Sequence, residues 1–215
     1  MQEYKTVLAE KEAQLDIKKS IFIGHVKPCN TEEEAIEFIE QIKKDNRQAN
    51  HNCYSYVIGA NKGIQRYSDD GEPQGTAGIP ILGVIKSEDL TNICIVVTRY
   101  FGGVKLGASG LIRAYSKASS MVISETDIIE MKKYLKISTS IDYTLLGKVE
   151  NFISTNRYFV ISKDFTDKVT IKLYISEKEY EKFEKEIIEL TSANIDINIE
   201  KSLLLAEKNR EIIGG

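Results

Sequence analysis

The run RYFGGVKLGASGLIRAY at residues 99–115 places glycines and basic side chains between an apolar strand and a helix. In such a strand–turn–helix unit, unpaired backbone N–H groups and the positive end of the helix dipole lie at one point. That point attracts anions, and arginine or lysine adds charge-assisted hydrogen bonds to a phosphate. We therefore predict an anion-binding or RNA-binding site formed by Arg99, Gly102, Gly103, Lys105, Gly107, Ser109 and Arg113.

The same run also has a purely structural interpretation. Glycine supplies positive φ angles and allows a helix to pack closely on a sheet, so the run could be only a turn. Its spacing matches neither GxxxxGK[ST] nor GxGxxG, and the residues around Ser109 lack the spacing of the GxSxG elbow. The motif alone leaves the anion site and the simple turn equally open.

A second candidate is the acidic stretch YSDDGEPQGTAG, which contains Asp69, Asp70 and Glu72. Carboxylates this close could bind Mg²⁺. They could instead form a solvated turn whose aspartates accept backbone N–H bonds. In a third interpretation, Asp69 and Asp70 pair with Arg99 or Arg113 and hold the two loops together. The composition favours the turn, and we predict no metal site and no cofactor.

His51 and Cys53 lie two residues apart at the start of a predicted strand, and in an extended segment such residues share one face. A Cys–His nucleophile also needs a lowered thiol pKa and an oxyanion donor. A buried cysteine beside a histidine is the simpler interpretation.

Nearby aromatic side chains could stack nucleic-acid bases or fill the core. They are Tyr54, Tyr56, Tyr67, Tyr100, Phe101 and Tyr115.

Composition restricts the class of protein. The 215 residues carry a net charge of −3, which argues against coating nucleic acid through bulk charge. The apolar runs are far shorter than the roughly 20 residues that a membrane-spanning helix needs. The first residues lack the pattern of a secretion signal, and three cysteines without CxxC spacing argue against a disulfide framework. We expect a cytoplasmic protein with no membrane partner.

The periodicity predicts alternating strands and helices in the first part of the chain. Strands are expected at 4–9, 20–27, 53–60 and 92–100, and helices at 31–46, 79–90 and 106–125. Thr31 and Glu34 have the spacing of a capping box. Residues 66–78 are predicted to form a loop.

The second part follows the order strand, helix, strand, strand, helix, strand, with a hairpin at Thr166–Asp167. This order is typical of a ferredoxin-like βαββαβ domain. We predict an α+β protein with domains at 1–135 and 136–215.

Four segments resemble the YigZ/Impact family over residues 15–124 or so. They are KKSIFIGHV, NHNCYSYVIG, SDDGEPQGTAGIPIL and VVTRYFGGVKLGASGLIRAY. The resemblance implies an N-terminal α/β sandwich like the second domain of a small-subunit ribosomal protein, followed by a YigZ-type ferredoxin-like domain. Eukaryotic relatives regulate translation by binding an activator of an initiation-factor kinase, through a chain with a different accessory domain.

The resemblance therefore implies a translation-associated regulatory protein that binds RNA, the ribosome or a translation-associated protein. It supplies no catalytic residues, so whether the chain is an enzyme stays open. The alternative is a hydrolase or phosphate-handling enzyme with a cleft between 66–78 and 99–113. His51, Asp69, Asp70 and Glu72 are the candidate cleft residues.

Overall fold

The structure is a computed structural model that describes residues 1–213. The chain divides into a first compact unit, Gln2–Glu130, and a second one that begins at Met131. Among the described residues, no helix is both long and apolar enough to cross a membrane.

The first unit is a sheet between two layers of helices. Its strands are β1 (Tyr4–Val7), β2 (Lys11–Ile17), β3 (Ser20–Pro28), β4 (His51–Ile58), β5 (Ile64–Ser68) and β6 (Ile93–Tyr100), and its helices are α1 (Glu32–Asp45), α2 (Gly78–Ser87) and α3 (Ala108–Ser124). Five strands form an antiparallel sheet in the order β2-β3-β6-β4-β5.

The alternation of side chains along β6 explains the two layers. Ile95 and Val97 belong to the core formed with α2 and α3, whereas Cys94 and Val96 belong to the core formed with α1. Because successive residues of a strand face opposite sides, Arg99 falls on the α2–α3 side.

Thr31 is confirmed as the N-cap of α1, but the Glu34 carboxylate accepts the N–H of the residue before the cap, so the box is not closed. The Glu34 N–H donates to Thr31 Oγ1 at 3.2 Å, and Glu34 Oε2 accepts the Asn30 N–H at 2.7 Å. Two predictions in this unit are incomplete, because β2 was not predicted and β5 extends into the expected 66–78 loop.

The missed hairpin of β2 and β3 has a local cause. Ile17 pairs with Ser20, so the turn consists of Lys18 and Lys19, with φ of 46° and 71°. Two-residue turns of this kind usually contain Asn-Gly or Asp-Gly, and a Lys-Lys pair does not indicate one in the sequence.

The second unit has the predicted ferredoxin-like order of elements. They are β7 (Ile128–Ile141), α4 (Leu146–Thr155), β8 (Phe159–Phe165), β9 (Val169–Ser176), α5 (Tyr180–Leu190), β10 (Asp196–Lys208) and a short added strand β11 (Glu211–Ile213). The strands lie in the order β11-β10-β7-β9-β8. The inward side chains of β9, such as Ile171 and Leu173, pack with Val149 of α4 and Phe183 of α5.

Candidate functional site

A cavity of about 410 Å³ lies in the first unit beside the start of α3. Its lining includes the side chains or backbone of His51, Glu72, Arg99, Phe101, Lys105 and Gly107. The β4–β6 register places His51 directly opposite Arg99, and the acidic stretch before α2 supplies Glu72. The cavity therefore unites parts of both predicted motifs.

A buried ion pair forms one wall of the cavity. Arg99 is 5% exposed, and its Nη1 donates to Glu72 Oε1 at 2.6 Å. The hydroxyl of Tyr115 donates to the same oxygen at 2.8 Å. Glu72 is thus the carboxylate that neutralises Arg99, and the alternative pairing of this arginine with Asp69 or Asp70 is wrong.

One donor of the arginine is unused. Arg99 Nε is buried and has no hydrogen-bond partner within the described residues. The guanidinium also lies over the rings of Phe22 and Phe101, with centroid distances of 5.4 and 5.3 Å. The aromatic faces stabilise its charge, but they do not accept the Nε–H in the way an oxygen would.

Asp69 holds the backbone at the entrance to α2. Its Oδ1 accepts the N–H groups of Ala77 and Gly78 at 3.0 and 2.9 Å, and its Oδ2 accepts the Gly75 N–H at 2.8 Å. This is the structural role expected of an aspartate in a turn.

Asp70 has a similar role, since its Oδ2 accepts the Asn52 N–H at 2.6 Å. Asp69, Asp70 and Glu72 thus contact different partners, which contradicts their interpretation as a shared Mg²⁺ site. In residues 1–213, no group of three His, Cys, Asp or Glu side chains is arranged to hold a metal ion.

His51 lines the cavity, and a hydrogen bond at Nδ1 fixes the orientation of its ring. Its Nδ1 lies 2.8 Å from the Asp70 carbonyl oxygen. A carbonyl can only accept, so Nδ1 carries the proton and Nε2 is the acceptor in the neutral ring. Nε2 lies 3.9 Å from Glu72 Oε1.

Cys53 is not a nucleophile in this arrangement. Its thiol is fully buried and donates to the Asp69 carbonyl at 3.0 Å. Burial raises the pKa of the Cys53 thiol far above its ordinary value, which opposes formation of the reactive thiolate. The Cys–His hypothesis is therefore wrong.

The glycine-rich loop has backbone requirements of its own. A Cβ at Gly102 would overlap the carbonyl group of Lys19, and Gly107 has a φ of +72°. Gly107 caps α3 without a side-chain hydrogen bond, so the first N–H groups of the helix remain available. The turn interpretation and the anion interpretation are thus compatible.

The other predicted loop residues lie outside the cavity. Ser109 and Arg113 are exposed on α3, where Arg113 Nε donates to the Ser109 carbonyl at 3.3 Å. Gly102 and Gly103 shape the loop but do not line the cavity.

Sequence reasoning missed two groups at this site. Asn50 lines the cavity, and its Oδ1 accepts the Phe101 N–H at 2.7 Å. The Tyr115 hydroxyl was considered only as part of an aromatic ring. Their partners lie 51 and 43 residues away, so no local pattern pointed to them.

Comparison with known proteins identifies the family. Residues 18–123 match the Impact N-terminal domain, and residues 139–194 match a domain of unknown function, DUF1949. The chain is 45% identical to the IMPACT family member YvyE of Bacillus subtilis over 205 residues, covering 95% of this chain and 94% of that protein. The chain belongs to the IMPACT family. The resemblance seen in the sequence is confirmed.

Further IMPACT relatives differ in how much of the chain they match. The IMPACT family member YigZ of Escherichia coli is 27% identical, covering 85% of this chain and 90% of that protein. The Protein IMPACT homolog of Schizosaccharomyces pombe is 32% identical over 110 residues, 49% of this chain and 39% of its own length. These 110 residues amount to about half of the chain.

One solved structure supports the fold over nearly the whole chain. A crystal structure of a hypothetical protein superposes with a TM-score of 0.60 at 25% identity, covering 94% of this chain and 98% of that one. The predicted α+β fold with two domains is thereby confirmed.

Proposed function

We propose that this IMPACT family member is a translation-associated protein that binds RNA, alone or within the ribosome, through cations around its glycine-rich loop. The supporting observation is a group of exposed cations that we call the basic rim. The basic rim consists of Lys18, Lys19, Lys105 and Arg113. Within residues 1–213, none of these four forms an ion pair with a carboxylate.

The Lys18–Lys19 turn lies next to the glycine-rich loop in the folded chain. Because Gly102 packs against the Lys19 carbonyl, the Lys18–Lys19 turn lies against the loop that continues to Lys105. Both turn lysines have positive φ, a conformation that non-glycine residues rarely adopt. The Lys18–Lys19 turn thus adds two cations beside the glycine-rich loop in a chain whose net charge is −3.

The rim is suited to phosphate groups. Unpaired lysine and arginine side chains neutralise backbone phosphates and release counterions, which gives binding that weakens as salt increases. Phe101 is 44% exposed beside Gly102 and offers a ring on which a base can stack. The link to translation rests on the family resemblance, whereas the rim supports the RNA part of the proposal.

Co-sedimentation with ribosomes and with a structured RNA, at about 50 and about 200 mM salt, tests the proposal. The double variant Lys19→Gln, Lys105→Gln should bind more weakly and reduce the slope of log K against log salt by about 2, one for each lost phosphate contact. The matched control is Lys44→Gln, Lys86→Gln, which removes the same charge from exposed positions on α1 and α2.

The test compares RNA and ribosome binding by the rim double variant with binding by the control double variant. Equal binding by both double variants would remove the basic rim from the mechanism. No binding of the wild-type chain to either target at low salt would overturn the proposal itself.

The alternative is an enzyme working in the cavity, which lies where the cleft was predicted. His51 favours it, because the neutral ring presents Nε2 as an acceptor close to the Arg99–Glu72 pair. Asp69 and Asp70 are weaker candidates for its base, since Asp69 accepts three backbone N–H groups and Asp70 Oδ2 accepts one. Absence of RNA binding together with capture of a small substrate would favour this alternative.

A further inference from the structure

The cavity beside α3 contains a buried positive group with an unused donor. Arg99 is 5% exposed, its Nη1 is bonded to Glu72, and its Nε–H has no acceptor among the described residues. Buried N–H groups of native proteins are almost always paired, and an unpaired one calls for an explanation such as a ligand. Arg99 lines the cavity, so an acceptor bound there would lie beside this unpaired donor.

The start of α3 supplies further donors to the same cavity. Gly107 and Ala108 line it, and the first intrahelical bond runs from the Leu111 N–H to the Gly107 carbonyl. The preceding N–H groups of the helix, at Ala108, Ser109 and Gly110, have no intrahelical acceptor. This helix has 17 residues and no acidic residue in its first turn, so its positive end is not compensated locally.

The carboxylate in the cavity does not cancel this positive potential. Glu72 Oε1 accepts hydrogen bonds from both Arg99 and Tyr115, so the Arg99–Glu72 pair is neutral as a unit. Lys105 adds a positive charge at the lining, with no ion-pair partner in residues 1–213. Among the described residues of the lining, Lys105 and the helix end are thus the positive groups that the Glu72 carboxylate does not pair with.

From these two independent features we propose that the cavity binds a phosphate monoester. A monoester ends in a doubly charged group that can enter a cavity, whereas a backbone diester carries one charge and continues on both sides. The volume of about 410 Å³ falls within the range of small-ligand sites. The apolar side chains of Phe101, Leu106 and Leu111 provide walls for the group that carries the phosphate. This site shares Lys105 and Phe101 with the proposed RNA surface, and it differs from that surface by using the buried Arg99 and the start of α3.

The phosphate has two chemical sources, the 5′ end of an RNA or a small phosphorylated molecule. Calorimetric titration of the full chain with four probes distinguishes them. The probes are inorganic phosphate, adenosine 5′-monophosphate, and one short oligoribonucleotide prepared with a 5′-phosphate and with a 5′-hydroxyl. Tighter binding of the 5′-phosphorylated oligonucleotide than of the 5′-hydroxyl one indicates an RNA end, whereas equal binding of these two together with saturable binding of the monophosphate indicates a small molecule.

The decisive variant is Ala108→Glu. Ala108 is exposed at the first position of α3, where a carboxylate favours the helix dipole, so the variant is expected to fold. The same carboxylate would repel a bound phosphate, and we expect at least tenfold weaker binding of the monoesters. Ala108→Gln adds a side chain of the same size without the charge, so it should bind the monoesters more tightly than Ala108→Glu does.

Two results would overturn the site: no saturable binding of any monoester by the wild-type chain, or equal binding by the Ala108→Glu and Ala108→Gln variants. These results are distinct from failure of the proposed function, which is measured with ribosomes and with the 5′-hydroxyl oligonucleotide. If ribosomes bind and monoesters do not, only the cavity site is lost.

Discussion

Replacing Glu72 by Gln removes one charge from the buried pair while keeping the size of the side chain. Arg99 and Glu72 have side chains that are 6% and 3% exposed, so water screens the remaining charge poorly. Arg99 Nε already lacks an acceptor, and the substitution would leave the guanidinium without any carboxylate partner.

The expected loss of unfolding free energy is about 3 kcal/mol. Breaking a buried ion pair by removing one partner costs about 3–5 kcal/mol, and the amide oxygen of glutamine still accepts one hydrogen bond, which favours the lower end. With a urea m-value of about 2 kcal/mol per molar, the midpoint should fall by about 1.5 M. Far-UV circular dichroism measures the midpoint, and hydrogen exchange of the β6 amides assigns it to the first unit.

The matched control is Glu10→Gln. Its partner is Lys27 at 3.4 Å, but these side chains are 56% and 41% exposed, so the loss should be about 0–1 kcal/mol. Equal losses in the two variants would refute the buried-charge explanation. The double variant Glu72→Leu, Arg99→Met should be more stable than Glu72→Gln, because no unpaired charge stays buried.

Two further predictions concern the glycine loop and the thiols. Gly102→Ala should destabilise the first unit by about 1–3 kcal/mol, because its Cβ would overlap the Lys19 carbonyl group. Gly83→Ala, which meets no atom within 4 Å, should leave the melting temperature unchanged or raise it, and equal melting of the two variants would contradict the contact. Burial raises the pKa of Cys29 to about 12 and that of Cys94 well above its ordinary value, so both stay protonated at about pH 8. A disulfide reagent should therefore label neither in the native chain and both in urea, and rapid labelling before unfolding would show that they are accessible.

Local patterns in the sequence predicted the elements whose causes are local. The capping-box spacing of Thr31 and Glu34 marks the start of α1, and the turn at Thr166–Asp167 marks the hairpin of β8 and β9. These features depend on residues within a few positions of one another. The order of elements then indicated the ferredoxin-like unit, because few arrangements satisfy it.

The composition of the candidate site depended on contacts between distant parts of the chain. The acidic stretch offered three carboxylates, and the sequence could not tell that Glu72 pairs with Arg99 while Asp69 binds backbone N–H groups. The choice depends on which side chain the turn directs into the core, where a charge must be paired.

The sequence by itself thus determined the order of helices and strands, the two-unit organisation and the position of the glycine-rich loop. Only the tertiary structure placed the Lys18–Lys19 turn against that loop and left Arg99 Nε unpaired beside α3. The physical reason is the separation of the interacting residues along the sequence. Periodicity and capping involve near neighbours, whereas burial and charge pairing are decided by residues that meet only after folding.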